Sequence, residues 1–104
     1  MKVLLIALAA TASQGDLKTE QLVQWRACLI EEIERHALSN QPWDVVWKAA
    51  RSACREWKIK YWLVTSRDYG RYPKLTAFAK AARDAEDMEE LLEGDLAGEF
   101  LRRR

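Results

Sequence analysis

Two apolar stripes of helical period, parted by a short break, dominate the middle of the chain. Leu22, Trp25, Leu29, Ile33 and Ala37 recur at spacings of three and four, which gathers them on one face of a helix. Asp16 suits the N-cap of that helix and Glu20 its first turn, and the pattern runs to about Leu38. Ser39-Asn40-Gln41-Pro42 interrupts it, and Pro42 fits the first position of a second helix. There Trp43, Val46, Trp47, Ala50, Cys54 and Trp57 share a face, in what reads as one unbroken helix. So short a link predicts an antiparallel helical hairpin.

Two strands are expected to accompany the helices. Lys58 to Thr65, KIKYWLVT, is rich in aromatic and β-branched residues. Lys2 to Ala9 is a short apolar run bounded by the turn-like TASQGD, the pattern of a buried strand. A lone strand needs a partner, so the two are expected to pair in one small sheet, with a right-handed crossover if they are parallel. The same N-terminal stretch has a second reading as a secretory signal. Lys2 is then the basic segment, Val3 to Ala10 the apolar segment and Ala10-Thr11-Ala12 the cleavage site. The apolar run is too short for a membrane span. TASQGD lacks a G-x-G-x-x-G or G-K-[ST] pattern, so it carries no phosphate loop.

A third helix is expected to open at Pro73, after a loop from Ser66 to Tyr72, with Leu75, Phe78, Ala82, Ala85, Met88 and Leu92 as its apolar stripe. Gly94 is the expected stop, leaving residues 95–104 as a tail anchored by Leu96 and Phe100. The predicted fold is therefore α+β and mostly helical, in the order β-α-α-β-α. A helical hairpin and a third helix cover a two-stranded sheet. At 104 residues, with 49% hydrophobic and 32% charged, the chain is expected to form a single domain over 1–104.

Charge is distributed unevenly. Residues 1–47 carry a net charge of −2, residues 48–83 one of +8 and residues 84–101 one of −8, with three terminal arginines bringing the total to +1. Lys48, Arg51, Arg55 and Lys58 follow helical spacing and share a face beside the apolar stripe. Such a face can meet phosphates while its helix stays packed. Arg67, Arg71 and Lys74 extend it in sequence, and Tyr69 and Tyr72 offer faces for stacking unpaired bases. The acidic run Asp84, Glu86, Asp87, Glu89, Glu90 and Glu93 needs a basic counterpart, since like charges at these spacings destabilise a helix and acids oppose the dipole near a C-terminus. That counterpart is either the protein's own basic stripe or a partner, to which the acids can imitate a phosphate backbone.

Catalysis and metal binding have little to rest on. His36 is the only histidine, with no identifiable nucleophile beside it, and it suits the dipole of the first helix's last turn. Glu31 with Glu34 and Asp87 with Glu90 fall on faces expected to be solvated. Cys28 and Cys54 form no CxxC pair and read as small buried hydrophobes. They lie at similar distances from the hairpin turn, so contact is possible: a disulfide in an exported chain, packed thiols in the cytosol. No metal or cofactor is expected.

Trp25, Trp43 and Trp62 are separated by 18 and 19 residues, which resembles the tryptophan spacing of Myb-type DNA-binding repeats. Ala53-Cys54-Arg55-Glu56-Trp57 resembles the wording of their recognition helix. The reading of Trp43 to Trp57 as one helix and of Trp62 as strand departs from that pattern, so no residue role is carried over.

The chain is thus expected to be a small cytoplasmic, non-enzymatic binding protein that meets nucleic acid through residues 48–74. One alternative is an adaptor or inhibitor that presents residues 84–93 to a basic protein partner. The other is an exported helical domain with a Cys28–Cys54 disulfide.

Overall fold

The computed structural model describes residues 14–37 and 39–103. Four α-helices follow one another: α1 (Gln14–His36), α2 (Trp43–Ala53), α3 (Arg55–Ser66) and α4 (Lys74–Arg103), with a 3-10 turn, Arg67–Tyr69, between α3 and α4. The described residues contain no strand, so the expected two-stranded sheet and the α+β class give way to a helical bundle. Lys2 to Ala9 lies outside the described residues, and its intended partner, Lys58 to Thr65, is helical.

The α1 stripe is where the periodicity put it. Trp25, Leu29 and Ile33 are buried, with Leu22 and Ala37 packed against the core. Asn40 adopts a left-handed φ of 59°, which its short polar side chain tolerates, and turns the chain into α2. Pro42 caps α2 and Trp43 is its first residue. Val46, Trp47 and Ala50 are buried along α2.

The single helix expected over Trp43 to Trp57 is broken at Cys54, whose φ of −102° and ψ of 14° end α2 and begin α3. No proline or glycine causes the break. Hydrogen bonding nearly continues through it: Cys54 N donates to Ala50 O at 3.0 Å, and Cys54 O accepts from Trp57 N at 3.1 Å. Cys54 is joined to Cys28 by a disulfide, which ties the break to the middle of α1.

The strand-like KIKYWLVT is helical because that geometry aligns Cys54, Tyr61 and Thr65, all buried, on one side of the chain. Tyr61 packs on Trp25 with ring centroids 5.6 Å apart. Strand propensity spans only about 1 kcal/mol across residue types, whereas burying one large side chain contributes about 2 kcal/mol, so packing decides. Glu56 supports the helix locally through its contact with Lys60, one turn on, at 3.3 Å. The helix leaves Ile59 and Leu63 exposed.

α4 continues through Gly94, the expected stop. Leu92, Leu96 and Phe100 are buried at four-residue steps, so one apolar stripe spans the glycine and the expected tail belongs to the helix. Phe100 meets the Trp43 ring at 5.3 Å. In its first half α4 buries Ala77, Ala81 and Ala85, while Leu75 and Phe78 are exposed. Of the predicted stripe, Ala85 and Leu92 are buried and Met88 packs against the core, while Ala77 and Ala81 take the inward places expected of Leu75 and Phe78. The acidic run consequently sits mid-helix, where it does not oppose the terminal dipole, and Arg102 stands in the last turn.

Candidate functional site

An open groove of about 550 Å³ runs between the α2–α3 pair and α4. Lys48 and Arg51 on α2 and Arg55 on α3 line one side. They line the groove together although they lie on either side of the break at Cys54. Ile59 and Trp62 supply apolar surface, and Glu86 and Glu89 of α4 line the other side.

Lys58 connects the two sides. Its ammonium donates to Glu86 at 2.6 Å and to Glu89 at 3.1 Å. Glu89 is buried, at 6% exposure. One of its oxygens meets Lys58, while Oε2 is sealed from solvent and has no hydrogen-bond partner among the described residues. Lys48, Arg51 and Arg55 are exposed and have no acidic partner among the described residues. The acidic helix thus neutralises one cation of the stripe and leaves three.

Trp62 is held in place at the groove. Its indole Nε1 donates to Phe78 O at 2.9 Å, and its ring lies 4.4 Å from that of Phe78. Trp62 and Ile59 both fall within residues 48–74, but the expected strand gives no reason to place them beside Arg55 and Lys58. Helical spacing from Arg55 through Lys58 and Ile59 to Trp62 is the signal that would have found them.

The remaining predicted residues do not join the groove. Arg67, Arg71, Tyr72 and Lys74 are exposed around the 3-10 turn. Tyr72 lies beneath the Lys80 ammonium at 4.9 Å and 6.2 Å from the Tyr69 ring. The Tyr69 hydroxyl donates to Asp84, and that hydrogen bond raises the Tyr69 pKa above its usual value of 10.0. Lys18 pairs with Asp68 at 2.8 Å, and its pKa is raised above 10.5, chiefly by that hydrogen bond.

The acidic residues face in several directions. Asp84 meets Tyr69, Glu86 and Glu89 meet Lys58, and Arg26 pairs with Asp95. Asp87 and Glu90 are exposed and Glu93 is half-buried, with no partner among the described residues.

A second recess, lined by Ile33, Ala37, Leu96 and Phe100, encloses about 20 Å³. That is room for about one water and no larger ligand. Among the described residues no cluster of His, Cys, Asp and Glu could hold a metal ion, and no helix is long and apolar enough to cross a membrane.

Comparison with protein-family models finds no match, and neither curated proteins nor solved structures provide one. Against the Myb-type pattern, the helix breaks at Cys54 and Trp62 is helical, but a single residue, with no glycine turn, separates the two helices, and no family model matches the chain.

Proposed function

We propose that the protein is a non-enzymatic binding module that holds nucleic-acid phosphates on the ridge formed by Lys48, Arg51 and Arg55. The observation that carries this reading is the asymmetry of the basic stripe. Lys58 has two carboxylates, whereas its three neighbours along the groove have none among the described residues. Exposed cations in a row, one or two helical turns apart, release counterions when they meet phosphates. Their affinity for a polyanion therefore falls steeply with salt.

The test is charge reversal. The double variant Arg51→Glu, Arg55→Glu alters exposed positions only, so the fold should persist. Loss of salt-dependent binding to oligonucleotides supports the ridge; unchanged binding refutes it. The acidic face of α4 has less support as a docking surface, because Asp84, Glu86, Glu89 and Asp95 are already engaged within the chain.

A second reading rests on the Cys28–Cys54 bond. Disulfides persist in oxidising compartments, and residues 1–12 have the basic, apolar and A-x-A order of a secretory signal. With Lys58–Thr65 helical, the pairing argument for a strand at Lys2 to Ala9 is gone. Under this reading the full chain, expressed in a secreting cell, yields an intact mass that begins near Ser13. A mass that begins at Met1 counts against it.

A further inference from the structure

The two sides of the groove are chemically unlike, and that difference bears on which form of nucleic acid fits. We infer that the groove takes an unpaired strand, with a base stacked on Trp62 and the adjoining phosphates on Arg51 and Arg55. This rests on the phosphate-binding reading above.

A duplex presents two phosphate rows flanking stacked, paired bases. The groove offers cations on one side only. On the other side, Glu86 is exposed and Glu89 has a carboxylate oxygen without a partner. A second phosphate row set against these two carboxylates is repelled, with little charge left to compensate because Lys58 serves both. A single strand has one phosphate row, which matches the one cationic side. Its bases then project across the groove, where their faces meet apolar surface and their amino edges can reach the exposed Glu86 carboxylate.

Trp62 suits the stacking role because it is already positioned. The hydrogen bond to Phe78 O and the Phe78 ring hold the indole from the α4 side, while the same residue lines the groove. Little side-chain freedom remains to be lost when a base arrives, which favours affinity. Ile59 is 40% exposed and extends the apolar surface by one helical turn. Stacking on an aromatic side chain accepts any base, so the inference concerns strandedness rather than sequence.

The experiment compares oligonucleotides of about 12 nucleotides, single-stranded and as blunt duplex, at low salt, a length within the range one small domain covers. The wild-type protein should bind the single strand more tightly. Trp62→Leu should weaken single-strand binding by about 5- to 150-fold, the range for losing one stacked base, and leave the dependence on salt unchanged. Circular dichroism confirms that the variant is folded. Ile59→Asp, at an exposed position, provides a second variant and should also weaken the single strand. Equal affinity of the wild type for both forms, or unaltered binding by both variants, would overturn the inference while leaving the cationic ridge in place. Absence of binding to either form would remove the ridge reading as well.

Discussion

The Lys58 ammonium lies 3.1 Å from a carboxylate oxygen of Glu89, a side chain almost wholly withdrawn from solvent. This contact joins α3 to α4 and divides the basic stripe into one neutralised cation and three available ones. It also accounts for part of the acidic run: a carboxylate buried in α4 is tolerated because a lysine one helix away reaches it.

Removing that lysine should be costly. Lys58→Met leaves Glu89 buried without a cation, and breaking a buried pair costs about 3–5 kcal/mol when both partners are sealed. Lys58 retains 19% side-chain exposure, so a loss of about 2 kcal/mol is expected in urea denaturation. Replacing both residues, Lys58→Met with Glu89→Leu, should recover most of that loss.

Cys28 and Cys54 are 26 residues apart. Closing a loop of that length should stabilise the fold by about 3.5 kcal/mol through the unfolded chain. Reduction, or the double change to serine, should lower the melting temperature markedly. A melting curve unaffected by reductant would show that the bond contributes nothing.

Gly94 lies inside α4, and a methyl group added there meets nothing within 4 Å. Gly94→Ala should therefore raise stability by up to about 1 kcal/mol, the helix-propensity difference between the two residues. If Gly94 instead ended the helix in a left-handed conformation, the same change would destabilise.

Tyr69 and Lys18 both have raised pKa values, each from a hydrogen bond to an aspartate, Asp84 and Asp68 respectively. A raised folded-state pKa means that folding favours the protonated form. Its contribution is complete below the unfolded-state pKa and is lost as pH rises through the folded-state value. Stability should hold through neutral pH and decline above about pH 10. Tyr69→Phe should remove part of that decline, as read by melting temperature against pH.

How far these features were legible depended on whether local pattern or tertiary packing decided them. The α1 stripe follows from helical spacing and the break from Ser39-Asn40-Gln41-Pro42, whereas equal distance from that break only makes a Cys28–Cys54 contact possible and leaves disulfide and packed thiols open. The Lys48–Lys58 stripe was legible too, and its members do line one groove. What failed were the places where composition and packing disagreed. KIKYWLVT has strand-forming residues, but Tyr61 and Thr65 bury as a helix does. Gly94 carries a stop signal, but Leu92, Leu96 and Phe100 continue across it. In the first half of α4 the large residues Leu75 and Phe78 drew attention from the small alanines that pack inward. That the acidic run needs a basic counterpart is legible in the sequence, but that Glu86 and Glu89 are the acids that meet Lys58 is decided only when α4 docks on α3.

Phosphate binding on the ridge of Lys48, Arg51 and Arg55 can be read directly from emission. Trp62 lines the same groove, so tryptophan fluorescence is the direct reporter. The measurement is a titration with a single-stranded oligonucleotide at about 50 mM and 200 mM salt, a span over which phosphate contacts weaken strongly. Saturable change is expected at the lower salt and a large loss of affinity at the higher. No change in emission at the lower salt would contradict phosphate binding on the ridge.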